Sequence, residues 1–166
     1  FNDAQLDSSM RTEWEGTYLR VIKDDHYEYV DRHKGRRAAA VLAFTDEQEI
    51  VLVDQYRRPI DAHILELPAG LIGDETVLKN ETALNAAERE LLEETGYSAR
   101  RWQYLGTLAP SPGLVTELTD VFLATGLQRQ SNGGGVQGED ITIHHIAFHD
   151  LSNWLDGQRQ QNKACL

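Results

Sequence analysis

The segment Leu67-Pro68-Ala69-Gly70-Leu71-Ile72, followed by Arg89-Glu90-Leu91-Leu92-Glu93-Glu94-Thr95-Gly96-Tyr97, constrains this chain more than any other stretch. A proline and a glycine punctuate an extended run, and a helix then carries glutamates along its last turns until Gly96 ends it. Glu90 and Glu94 are four apart and stack on one helical face. Stacked carboxylates repel, and near a helix C-terminus they also face the unfavourable end of its dipole. A cation held between them relieves both penalties. Two hard oxygen ligands at this spacing suit Mg2+ or Mn2+, above all where phosphate oxygens of a substrate complete the shell. The pattern points to metal-dependent chemistry on phosphoanhydrides, against the plainer alternative of a solvent-facing acidic helix end.

Hydrophobic patterning predicts the rest of the architecture. Trp14 to Val21 and Tyr27 to Asp31 read as two short strands joined by a polar turn at Lys23 to His26, although the alternation is imperfect. Ala38 to Phe44 and Ile50 to Gln55 read as a strong hairpin around the turn Thr45 to Glu49. Ile64 to Leu67 is extended, Pro68 argues against a central ladder position, and Gly70 and Gly73 mark a loop. A helix is expected from Asn80–Thr82 through Glu94, with Ala83, Ala87 and Leu91 as its apolar stripe and Leu84 beside it. Further strands are expected at Arg101 to Leu108, Leu118 to Thr125 and Ile141 to Phe148, with a last helix beginning at Asp150. Ser131 to Gly138 holds three consecutive glycines and reads as a mobile loop beside a cleft. The order suggests one α/β domain over residues 1–166, a mixed sheet covered by helices.

The glutamate segment resembles the signature box of the Nudix hydrolases, which cleave nucleoside diphosphates linked to another moiety. The family pattern is glycine, five residues, glutamate, seven residues, then Arg-Glu-aliphatic-any-Glu-Glu-any-Gly-aliphatic. Arg89 to Tyr97 matches each fixed place, with Tyr97 at the final apolar position, and counting back reaches Glu81. Ten residues separate Gly70 from Glu81 instead of five, which reads as a five-residue insertion between Asp74 and Asn80. The Pro-Ala-Gly segment and the Ser111-Pro112-Gly113 loop resemble the ADP-ribose pyrophosphatase branch, in which nucleoside diphosphate sugars are substrates.

The resemblance implies a Nudix-like three-layer α/β/α sandwich with a small N-terminal antiparallel sheet. Residues 1–35 are expected to serve homodimer formation. It implies Mg2+ or Mn2+ held by the Ala69 carbonyl, Glu90, Glu94 and Glu93, with Glu93 and Arg89 also in the catalytic group. Arg89 and Glu93 can pair at i,i+4; if exposed, that pair stabilises by only roughly 0.3–0.5 kcal/mol, so its value is in positioning. Glu81 is explained as well by the amides at a helix start as by catalysis. Glu139, ahead of its neighbour Asp140, is expected to activate water or bind a second metal. Arg57, in Gln55-Tyr56-Arg57-Arg58-Pro59, is expected to contact diphosphate or ribose, against the alternative of pairing with acidic surface. Arg37, Glu66 and Glu117 are further substrate candidates, and each has an ordinary surface role as its competitor. Trp14, Tyr18, Tyr27 and Tyr29 offer either base stacking or sheet packing.

A formal charge of −11 opposes binding of nucleic-acid polymers, which needs a basic footprint. A small nucleotide-sugar substrate is not excluded, because a metal and local arginines set the potential inside one cleft. No apolar run approaches membrane-spanning length, and the first residues do not resemble a signal peptide. The expectation is no membrane and a cytoplasmic location. A single cysteine, Cys165, offers neither a disulfide framework nor a zinc cluster. His144 and His145 are expected on opposite faces of one strand.

Overall fold

The computed structural model describes residues 10–32, 37–73, 80–136, 140–160 and 164–165. Its frame is a hairpin of β4 (Arg37–Phe44) and β5 (Glu49–Arg57), both rich in small and β-branched residues and buried through their middles. The two strands pair only at Ala43–Val51 and Phe44–Ile50, then part. Into the fork comes one continuous segment: β6 (Ala62–Glu66) runs along β5, and β7 (Ala69–Leu71) runs along β4. The kink between them is Leu67-Pro68. Pro68 has no amide to donate, but its carbonyl accepts from Val41 N–H at 2.9 Å. The expected loop at Gly70 is thus a short strand, because β4 offers it a free edge that the local sequence does not reveal.

β8 (Tyr97–Leu108) and β9 (Leu118–Arg129) extend the sheet beyond β4, with β9 parallel to β4. β10 (Ile141–Ala147) covers the other edge of β5, and β11 (Ala164–Cys165) pairs parallel with β6. Helices α1 (Ala83–Thr95) and α2 (Leu151–Gln160) complete the layers. Alternation along β4 separates their cores. Ala39, Val41 and Ala43 pack with Ala86, Ala87 and Leu91 of α1, whereas Leu42 and Phe44 join Ile50, Leu52 and Ile146 under Leu151 and Trp154 of α2. The α1 stripe therefore includes Ala86 rather than the exposed Leu84. Alanine meeting alanine across β4 and α1 lets the helix lie close to the sheet. The expected α/β/α sandwich with a mixed sheet is observed.

The N-terminal sheet is three-stranded: β1 (Arg11–Glu15), β2 (Leu19–Asp24) and β3 (Tyr27–Arg32). The expected single strand Trp14–Val21 is broken at Gly16, whose N–H bonds to Leu19 O at 2.9 Å while the Trp14 ring covers its α-carbon. Trp14 and Tyr18 consequently do not share a strand. β3 joins the sheet to the body of the protein: Val30 N–H donates to Leu114 O at 2.8 Å and Thr116 N–H to Val30 O at 3.1 Å. Buried Asp31 accepts from Thr116 Oγ1 at 2.7 Å and from Arg20 at 2.8 and 3.0 Å. No helix among the described residues is long and apolar enough to cross a membrane.

Candidate active site

A cavity of about 950 Å3 opens at the fork between β4 and β5. One end is formed by Ala69 and Gly70 of β7 with Glu90 and Glu94 of α1, and Arg57 and Glu66 line it from β5 and β6. Arg32 and Glu117 line it from β3 and the segment after β8. Apolar side chains, among them Leu52, Leu65 and Leu151, continue the wall under α2.

Helix α1 presents its carboxylates through local chemistry. Thr82 caps its start, accepting from Asn85 N–H at 3.2 Å. Glu81 precedes this cap and plays no part in it. Its carboxylate instead accepts from Arg89 Nε at 2.9 Å, from Arg89 Nη2 at 3.2 Å and from Gly73 N–H at 3.1 Å. The Arg89 hydrogen bond is the main reason the Glu81 carboxyl is held below the ordinary value, against the opposing push of burial. Arg89 also donates to Glu90 Oε1 at 2.7 Å, Glu93 Oε2 at 3.1 Å and Leu71 O at 3.1 Å. Its own pKa is raised, first by the Glu81 hydrogen bond. One guanidinium thus ties the helix start, the helix end and β7 together. The expected Arg89–Glu93 pair is one part of this larger hub.

Glu94 is only 4 % exposed and accepts from Ala69 N–H at 3.1 Å. Gly70 is fixed by contact rather than by turning: a Cβ there would lie 1.8 Å from Glu90 Oε1. The backbone of β7 therefore touches the carboxylate face of α1. Among the described residues, no group of three His, Cys, Asp or Glu side chains forms an all-protein metal cage. Glu90, Glu94 and the Ala69 backbone nevertheless fit a hard divalent cation. Mg2+ is commonly held by one or two carboxylates while waters and substrate phosphates fill the remaining positions.

The other sequence candidates separate clearly. Arg57 Nε donates to Glu66 Oε2 at 2.8 Å, which makes the two one unit of the cavity wall. Glu117 is there too, accepting from Arg32 Nε at 2.7 Å. Arg37 lies on the α1 face of the sheet, bonded to both oxygens of Asp120 at 2.5 Å, away from the wall to which its neighbour Ala38 contributes. Burial pushes Asp120 up, but hydrogen bonds from Thr107, Arg37 and Tyr104 outweigh it and hold the carboxyl low. Glu93 is turned to Arg89 and stands beside the cavity. Glu139 falls outside the described residues, and Asp140 is exposed. His144 and His145 do face opposite ways: His144 meets Trp154, and His145 Nε2 lies 3.0 Å from Tyr97 Oη.

Arg32 is a charged wall residue that sequence reading missed. Nothing near it in the chain signals a site, because its position depends on β3 docking against residues 114–116.

Comparisons with known proteins bear on family and fold. The model of the NUDIX domain family matches residues 34–162. The chain is 39% identical over 129 residues to a methanol dehydrogenase activator of Bacillus methanolicus, covering 77% of this chain and 66% of that protein. An ADP-ribose pyrophosphatase of Bacillus subtilis is 43% identical over 93 residues, covering 56% of this chain and 46% of that protein. A GDP-mannose pyrophosphatase of an Enterobacter species is 34% identical over 152 residues, covering 82% and 76%. The chain thus spans less than two thirds of the first two relatives. A solved structure of an ADP compounds hydrolase shares the fold, with TM-score 0.70 and 19% identity, covering 89% of this chain and 80% of that one.

Proposed function

The chain belongs to the Nudix family, and from that premise we propose that it hydrolyses the diphosphate linkage of a nucleoside diphosphate sugar. The substrate we favour is ADP-ribose, giving AMP and ribose 5-phosphate. One observation carries this reading: Glu90, Glu94 and the β7 backbone at Ala69–Gly70 meet at one end of a cavity whose wall also holds Arg57 and Glu66.

Glu90, Glu94 and the Ala69 backbone are the groups that would hold Mg2+ or Mn2+, in keeping with a family that binds these ions through its box. Such an ion supplies positive charge to phosphate oxygens and makes a bound water more acidic. The chain's own residues do the rest. Arg89 holds Glu81, Glu90 and Glu93 in fixed orientation. Arg57 presents a cation to the diphosphate while Glu66 steers its guanidinium and stays available to a sugar hydroxyl. Arg32 and Glu117 offer a second such pair farther along the wall. Glu139 is proposed to take the proton from the attacking water; Glu139→Gln should lower turnover much more than substrate affinity. Water adds across the P–O–P bridge, one P–O bond breaks, and each product keeps one phosphate.

A second reading, hydrolysis of GDP-mannose, is favoured by extent of similarity: the relative of that name aligns with 82% of this chain, against 56% for the ADP-ribose relative. Product-resolved turnover of ADP-ribose, GDP-mannose and ADP-glucose, with Mg2+, Mn2+ and chelator, separates the readings. AMP and ribose 5-phosphate as the dominant products support the first, and preferred release of mannose 1-phosphate replaces it with the second. Absence of metal-dependent turnover on every compound overturns both.

The exposed Trp14, Tyr18 and Tyr27 support a proposed homodimer formed through the N-terminal sheet. Sedimentation of the chain as a monomer at micromolar concentration would remove that assignment.

A further inference from the structure

The last turn of α1 is completed by a distant piece of chain. Gly96 has φ +74° and closes its N–H onto Leu92 O at 2.9 Å, which leaves the carbonyls of Glu93 and Glu94 in need of donors. Both receive them from the segment after β9. Gly134 N–H donates to Glu94 O at 2.8 Å and Gly135 N–H to Glu93 O at 3.0 Å. Gly96 O in turn accepts from Gln130 N–H at 2.8 Å and Ser131 N–H at 3.2 Å.

Only glycine permits this approach. Gly133, Gly134 and Gly135 have φ of +65°, +100° and +85°. A Cβ on Gly133 would stand 2.4 Å from the Thr95 carbonyl carbon and 2.8 Å from Glu94 O. A Cβ on Gly96 would stand 2.3 Å from Ser131 O. Arg129 braces the turn from outside, donating to Ser131 O at 3.0 Å and Asn132 O at 3.1 Å while its guanidinium lies 5.3 Å over the Tyr97 ring. Over its described residues, Ser131 to Val136, a segment whose composition suggests a mobile loop forms a backbone cap.

We infer that the Gly133–Gly135 turn is a positioning element of the active site, fixing the end of α1 so that the Glu94 carboxylate stays aligned with Ala69 and Glu90. The inference rests on the reading of Glu90 and Glu94 as the carboxylates that hold Mg2+ or Mn2+. The reason is mechanical. An uncapped last turn frays, and Glu94 sits in that turn while its hydrogen-bond partner Ala69 lies on a different element. A misplacement of about 1 Å costs on the order of 100-fold in such a site.

Direct titration of Mn2+ into the nucleotide-free chain tests this, with thermal midpoints measured alongside. Gly134→Ala is the main variant, since its Cβ would meet nothing within 4 Å and only the backbone geometry is disturbed. Gly106→Ala, at φ +146° and with equally open space in β8, controls for general strain. We expect Gly134→Ala to raise the Mn2+ dissociation constant about tenfold. Gly106→Ala should leave it unchanged at a comparable thermal midpoint. Arg129→Ala should raise it by about threefold through loss of the braces, and it decides the matter if Gly134→Ala does not fold. Wild-type affinity in a folded Gly134→Ala, or in Arg129→Ala if that is the variant left to decide, overturns the inference, as does an equal loss in Gly106→Ala. A wild-type chain that binds no Mn2+ overturns the metal reading of Glu90 and Glu94, and the clamp with it; normal binding in the wild type and in the variants overturns the clamp alone.

Discussion

Arg89 and Arg57 both hold glutamates at the same cavity, yet they stand in opposite circumstances. Arg89 is 22 % exposed, and its donors go to three carboxylates and a backbone carbonyl belonging to α1, its approach and β7. Arg57 is 43 % exposed and pairs with Glu66 alone among the bonds described. The first arrangement has no spare donor face to offer a ligand and ties three elements together. The second keeps a charged edge turned to solvent, where a diphosphate can reach it. The same pairing of residue types thus serves as scaffold in one place and as contact surface in the other, and enclosure decides which.

The comparison is broken most severely at the hub. Arg89→Ala leaves the nearly buried Glu81 without its cation, and removal of one partner from such a pair costs about 3–5 kcal/mol. Urea denaturation should show that loss; a change under 1 kcal/mol would reduce Arg89 to an ordinary surface residue. Next comes Glu90→Gln, which keeps shape but removes charge at the proposed metal end. Turnover under limiting Mg2+ should fall on the order of 100- to 1,000-fold, with the denaturation midpoint little changed. Unaltered turnover would count against Glu90 as a ligand.

Acid titration probes the hub more gently. The Glu81 carboxyl is lowered in the folded chain, chiefly by its Arg89 hydrogen bond, relative to an unfolded value of about 4.3. A group lowered on folding adds stability above its unfolded pKa, and that contribution disappears as pH falls through the lower folded value. Glu81→Gln should therefore flatten part of the stability loss below about pH 4.3, seen as thermal midpoints across an acid series. Parallel profiles for wild type and variant would show that Glu81 carries no such linkage. Arg57→Ala should have the smallest structural effect, within about 1 kcal/mol, because exposed pairs are weak. Its signature should be kinetic, with KM for the sugar nucleotide raised about tenfold, equivalent to roughly 1.4 kcal/mol. A stability loss matching that of Arg89→Ala would erase the distinction between the two arginines.

What sequence reveals follows the same division between local and long-range causes. Glu90, Glu94 and Gly96 are legible because helical spacing and a left-handed cap are properties of a dozen neighbouring residues. The hairpin β4–β5 and the opposed faces of His144 and His145 follow from strand alternation for the same reason. Arg32 is invisible because only the docking of β3 on residues 114–116 brings it to the wall. β7 is hidden because three residues around a glycine have no strand signature until β4 offers an edge. Glu81 looks like a helix-start residue until Arg89, two turns later, claims its carboxylate. The glycines at 133–135 mislead most, since one composition serves both slack chain and enforced left-handed geometry.

The bond from Gly73 N–H to Glu81 Oε2, with Arg89 behind it, fastens the two ends of the connection that departs from the family spacing. With those ends joined at 3.1 Å, the carboxylate face of α1 is held by contacts that lie outside the intervening residues. The two ends form a splice point: lengthening the sequence between them is expected to leave Glu90 and Glu94 where they are.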